Sequence, residues 1–187
     1  MRVVLFRPPV FGRESPADSL AGALGVPQVR FGDLMRTHLS RGTALGIRAA
    51  GIIASGGPFP DGLFTEVVRD HLRRSAHAGF LFVGHPHSAA RALALDGVLR
   101  ELGEPLDSVL HLRLPQAQAA RHTHRDDRAR RRIESHEAML EPVTRYYAGQ
   151  GLLVTVDAVG TSDDMTGRAL TALREHSRRP RPGTGAS

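Results

Sequence analysis

An α/β fold built on a parallel sheet follows from three features of the 187-residue sequence. Five short apolar runs, Val3–Phe6, Pro27–Arg30, Phe80–Val83, Ser108–Leu114 and Leu152–Val156, have the length and content of buried strands. Segments of helical character separate every one of these runs, and strands alternating with helices demand crossovers that leave the strands parallel and covered on both faces. Glycine and proline then punctuate the chain at Gly25, Gly42, the run GGPFP at 56–60 and Gly103, where helices must stop.

Taken in order, the first strand runs into a turn from Arg7 to Ser15. Ser15-Pro16-Ala17-Asp18 then opens a helix: the serine suits a cap, the proline the first helical position, and the aspartate the positive end of the dipole. That helix stops at Gly25. After the second strand, Asp33–Ser40, Ala44–Ser55 and Asp61–Arg74 read as three helices. Ala89–Leu102 follows the third strand. Arg128–Tyr147 follows the fourth, with Ile133, Leu140, Val143 and Tyr147 on one face. Ser162–His176 closes the fold. The expected organisation is one domain over residues 1–176, with a helical insert at about 31–60 and a short lid at about 121–132, then a disordered arginine- and proline-rich tail at 177–187.

Composition narrows the function. There is no cysteine, which excludes disulfides and cysteine-ligated metal. All 25 basic residues are arginine, so the basic character reflects arginine standing in for lysine rather than a nucleic-acid-binding surface, and nine Phe and Tyr residues offer little for base stacking. No apolar run approaches the ~20 residues of a membrane helix, and the opening MRVVLFRPP is too short for a signal peptide. The expected setting is cytoplasmic, and the expected partner is a small-molecule substrate rather than membrane or nucleic acid.

In parallel sheets ligands bind at the carboxyl ends of the strands. The segments after Phe6, Arg30 and Val83 are therefore where function should sit. They carry RPPVFGRES, FGDLMR and GHPHS.

With GTALG at 42–46, FPDG at 59–62, GFLFVGHPHS at 79–88, ELGEPLDSVLHL at 101–112, RDD at 125–127, RRIESHEAMLEPVTRYY at 131–147 and GLLVTVDAVGTSDD at 151–164, these pieces follow the order and spacing of the nucleoside monophosphate kinases. The chain resembles the adenylate kinase family from Met1 to about Glu175. The resemblance implies a three-layer P-loop-kinase-like fold with a five-stranded parallel sheet, a small nucleotide-binding insert and a truncated lid, in a chain that works as a monomer. It also implies that Arg36, Arg121 and Arg132 match arginines that converge on the transferring phosphoryl group, with Arg125 approximating a fourth.

Against that family the phosphate-binding residues depart. The loop GPPGAGKGT of family members is matched by Arg7-Pro8-Pro9-Val10-Phe11-Gly12-Arg13-Glu14-Ser15, which keeps one glycine of four and places Arg13 at the lysine. Pro16 restricts Ser15 to extended backbone, which delays the helix whose N–H groups should cradle phosphate. The family's DGFPR becomes Val83-Gly84-His85-Pro86-His87, so Val83 replaces an aspartate that helps hold Mg²⁺ and His87 an arginine. Phe31 replaces a threonine, and Arg91 a glutamine that reads adenine.

Losing the nest, the lysine and the aspartate together predicts loss of ATP-driven phosphoryl transfer. The expectation is an enzyme repurposed for acid–base chemistry, in secondary metabolism, with no ATP, Mg²⁺ or other cofactor and no metal site. His85 and His87 are the candidate acid and base on a small anionic or partly apolar substrate. Val10, Phe11, Phe31, Phe59 and Val83 would line its pocket, and Arg13, Arg36, Arg121, Arg125 and Arg132 would hold the anion. Two alternatives stay open: a diverged nucleoside monophosphate kinase using ATP and Mg²⁺, and a non-catalytic binding or scaffold protein. So do structural roles for the single residues, with the histidines solvated in a loop, Asp33 paired within its own helix, and Arg121 and Arg125 part of an exposed charge run.

Overall fold

The computed structural model describes residues 1–9, 16–75, 79–115 and 127–179. Five strands form one parallel sheet in the order β2-β3-β1-β4-β5: β1 (Arg2–Phe6), β2 (Gln28–Val29), β3 (Phe80–Val83), β4 (Ser108–Arg113) and β5 (Leu153–Asp157). The register sets Leu5 beside Val83 on one side and Phe6 beside His111 on the other. Seven helices are seen among the described residues: α1 (Pro16–Leu24), α2 (Phe31–Ser40), α3 (Ala44–Ser55), α4 (Asp61–Arg74), α5 (Ala89–Glu101), α6 (Asp127–Gly149) and α7 (Ser162–Ser177). The expected elements are all present. β2 is shorter than its apolar run, α2 starts two residues early at Phe31, and α7 extends one residue past its expected end at His176.

Alternation along the strands divides the core in two. Val4 and Phe6 of β1 and Phe82 of β3 meet Phe64 and Val67 of α4, Leu95 of α5 and Tyr147 of α6 on one face. Val3, Leu5, Leu81 and Val83 meet Leu20 of α1 and Met165 of α7 on the other. Phe6, Phe64, Phe82 and Tyr147 are fully buried, and side chains of this size each contribute about 1.5–3 kcal/mol relative to exposure.

This division places the site. The chain leaves β1 toward β2 through α1 on one face, and leaves β3 toward β4 through α5 on the other. Right-handed crossovers moving in opposite directions must use opposite faces. The carboxyl ends of β1 and β3 are therefore where the connections part, and a crevice opens there.

Short polar contacts lock the helix starts. The Thr43 hydroxyl accepts from Gly46 N at 3.1 Å, that of Ser88 from Arg91 N at 3.2 Å, and Thr161 shares a reciprocal cap with Asp164. Helices α2 and α3 touch so closely that a Cβ on Gly46 would stand 2.2 Å from the His38 carbonyl oxygen. Among the described residues no helix is long and apolar enough to cross a membrane.

Candidate functional site

Gly84 turns the chain out of β3 with φ 77° while its N–H donates to the Leu5 carbonyl at 2.8 Å. A cis His85–Pro86 bond follows, and then His87, just ahead of the Ser88 cap of α5. The two imidazoles lie edge to face with centroids 3.9 Å apart. His85 is also walled by Phe31 at 5.1 Å, Phe64 at 5.6 Å and Phe82 at 6.2 Å. Burial, with His87 and Arg91 adding repulsion, pushes His85 down to about 3, and His87 is lowered by burial and by Arg91. Both rings are thus neutral at neutral pH.

From the opposite wall α6 contributes His136 and Glu137. Glu137 Oε2 lies 3.4 Å from Nε2 of His111, a residue of β4 whose side chain is 9% exposed. Burial would raise the Glu137 carboxyl, but His111, His136 and Arg113 hold it below the ordinary carboxylate range. His136 is lowered by burial, against a hydrogen bond to the Arg7 backbone. Arg7, the first residue after β1, is itself held below its usual value by burial and by Arg30.

Among the described residues, five buried side-chain atoms lack a hydrogen-bond partner: His85 Nδ1, His87 Nδ1, His111 Nε2, His136 Nε2 and Glu137 Oε1. All five sit around the carboxyl edge of β1, β3 and β4. An unpaired buried polar atom costs roughly 1–3 kcal/mol, so a concentration of them marks a place built to meet a polar ligand.

The other expected site residues are distributed unevenly. Phe31 and Phe59 meet edge to face at 5.4 Å beside His85, but Val83 points into the other core, with Leu5 and Leu81. Arg36 is exposed and paired with Asp33 one turn earlier on α2. Arg132 is exposed on α6, one turn before His136, with no ion partner among the described residues. Val10, Phe11, Arg13, Arg121 and Arg125 lie outside the described residues. Sequence reasoning missed His111, His136 and Glu137. The signal was available: 133, 136, 137 and 140 form one helical stripe, and two of its four members are titratable.

The sequence model of the family described as Adenylate kinase matches residues 5–152. The chain belongs to the adenylate kinase family. An adenylate kinase of Thermobifida fusca is 38% identical over 95% of this chain and 100% of its own length. One of Mycolicibacterium vanbaalenii is 38% identical over 92% and 99%, and one of Xylella fastidiosa 32% identical over 92% and 99%. The family membership and the P-loop-kinase-like fold that the sequence implied both hold.

The expected loss of kinase activity does not. A chain that matches a relative called adenylate kinase along that relative's entire length has exchanged no part of its architecture for another. With that finding the repurposed acid–base enzyme of secondary metabolism falls, and with it the expectation that ATP and Mg²⁺ are dispensed with. That expectation weighted residue types in the loop after β1 and at Val83 after β3, and residue types alone do not determine how a backbone binds phosphate. His85, held down to about 3 by burial and by His87 and Arg91, is a neutral imidazole at neutral pH.

Proposed function

We propose that this chain is a nucleoside monophosphate kinase that moves the γ-phosphoryl group of ATP to AMP. A phosphate oxygen of AMP bonds to the γ-phosphorus as the bond to the β–γ bridging oxygen breaks, and two ADP leave. What supports the reading is end-to-end similarity to relatives named adenylate kinase, together with the unpaired polar atoms gathered at one crevice.

Phosphoryl transfer asks the protein for position and positive charge more than for covalent chemistry. Arg132 offers an exposed guanidinium, without an ion partner among the described residues, on the helix that flanks the crevice, and Arg36 offers another once it exchanges Asp33 for a phosphate. His87 supplies a neutral ring nitrogen that can donate to phosphate or ribose without adding charge. His85, Phe31 and Phe59 form the apolar wall that excludes water on the side of the insert.

Mg²⁺ is implied by the family. No three His, Asp or Glu among the described residues are placed to hold a metal ion. Glu137 nevertheless presents an ionised carboxylate with a buried, unpaired oxygen, which fits a hydrated ion carried in on phosphates. Glu137 would hold such an ion through its water, and the ion would supply charge neutralisation to the phosphates. Such a kinase works where ATP is abundant, and we read its setting as cytoplasmic.

The test is direct. The purified chain is supplied with ATP, Mg²⁺ and AMP, and ADP is measured. ADP should form only when all three are present. No turnover above the protein-free rate with AMP, GMP, CMP or UMP ends the proposal.

A further inference from the structure

We propose a second small-molecule site at the amino-terminal edge of the sheet, a cleft of about 360 Å³ that takes a flat apolar body carrying one carboxylate-type anion. It lies at the edge opposite the crevice. Its lining comes from α5 (Asp96, Leu99, Arg100), from the turn into β4 (Gly103, Pro105, Leu106), and from Gln150 and Leu152 between α6 and β5. The volume falls in the range of small-ligand pockets, roughly 300–1,000 Å³.

The walls define the apolar part of the ligand. Leu99 and Leu106 are 1% and 3% exposed, and Leu152 is half-buried beside them. A planar hydrocarbon body laid against Leu152 and the exposed Pro105 covers apolar surface, over a floor closed by the buried Leu99 and Leu106.

The charges define the polar part. Asp96 is already satisfied: its Oδ2 accepts from the Tyr146 hydroxyl at 2.8 Å and from Gln150 Nε2 at 3.1 Å, and its Oδ1 faces the Tyr147 hydroxyl at 3.4 Å. The neighbouring carboxylates have their own cations, Glu101 with Arg69 at 3.2 Å and Glu104 with Arg2 at 3.3 Å. Even the carbonyls at the end of α5, which attract a cation, are occupied, since Leu102 N donates to Val98, Glu104 N to Leu99 and Gly103 N to Arg100. Of the arginines around the cleft, Arg69 and Arg2 are paired, while Arg100 has no ion partner among the described residues. Its planar fork at the rim of an apolar cleft suits a carboxylate bound through two parallel hydrogen bonds.

The probe is 2-naphthoate, titrated into the full chain and followed by amide chemical shifts. We expect saturable shifts at Leu99, Gly103, Leu106 and Leu152. Arg100→Met should weaken binding by about tenfold, the scale of one charge-assisted contact, while Arg100→Lys retains part of it. The uncharged 2-naphthalenemethanol should bind about tenfold more weakly than the acid, for the same reason. Arg100 is exposed and remote from the crevice, so ADP formation by Arg100→Met should stay at the unsubstituted level. Non-saturating shifts, shifts centred on His85, His87 and His136, or equal affinity in Arg100→Met would each overturn the proposal. Because binding is read directly, its failure is distinct from failure of the kinase reading.

Discussion

Arg91 donates from Nε to Asp61 Oδ1 at 2.6 Å, joining the first turn of α5 to the first turn of α4. Its Nη2 also donates to the Phe59 carbonyl at 2.7 Å, and the guanidinium stands 5.1 Å over the Phe64 ring. The side chain is 15% exposed, so it is a half-sheltered clamp on the insert rather than a surface pair. Arg91→Ala removes two hydrogen bonds, a cation–π contact and packing against Phe64. A loss of about 1–2 kcal/mol is expected, discounted because Asp61 is half exposed. Urea unfolding checks it, and an unchanged midpoint would remove the clamp from the account.

Acid should destabilise the fold well before its carboxylates titrate. His85, His87, His136 and His71 are all lowered, burial being the first cause in each. The unfolded chain takes up these protons near pH 6.5, whereas folded His85 waits until about pH 3. The stabilisation is therefore complete above about pH 6.5 and lost as pH falls through that window, by up to about 1.4 kcal/mol per pH unit for each such proton. His85→Phe, which keeps an aromatic ring among Phe31, Phe64 and Phe82, should flatten the decline of Tm between pH 6.5 and 5. Parallel curves for the two proteins would show that His85 is not the group responsible.

Gly46 is a contact rather than a hinge. A methyl there would stand 2.2 Å from the His38 carbonyl oxygen and 2.9 Å from Leu39 N, both backbone atoms that move only if α2 and α3 separate. Gly46→Ala should cost about 3 kcal/mol, at the upper end for overpacking and against the usual gain in helix propensity. Gly51, also in α3 but with open space around it, is the control, and Gly51→Ala should not destabilise. Thermal unfolding of the pair decides the matter, and equal Tm values would contradict it.

Arg132 and Glu137 should separate in kinetics. Arg132→Ala leaves an exposed helix position and should leave Tm unchanged, while kcat/KM for AMP falls by about 10²–10³, the scale for one group that neutralises transferring charge. Glu137→Gln keeps the shape but removes the charge. The Mg²⁺ concentration for half-maximal rate should then rise by about tenfold, a loss of about 1.4 kcal/mol in ion binding. A Mg²⁺ titration that overlays the unsubstituted protein would detach Glu137 from the metal.

Periodicity and breakers determined the sheet and its helices, and the order and spacing of motifs such as FGDLMR and GHPHS carried the resemblance to the family. Apolar runs separated by helices, and glycines at their ends, are local signals that tertiary packing reinforced. Order also told where a site must lie, since a parallel sheet leaves few places for a ligand. What the chain could not show by itself was which side chains converge there. Val83, expected to line one pocket with Phe31 and Phe59, is sent by the pleat into the opposite core, so the expected pocket joined residues that the sheet separates. His111, Glu137 and Arg7 come from three elements far apart in the chain, and only the register of β4 against β1 and the docking of α6 bring them together. Even the proton state of His85 is a tertiary property, because the Phe rings and Arg91 that displace its pKa come from β3 and from helices α2, α4 and α5.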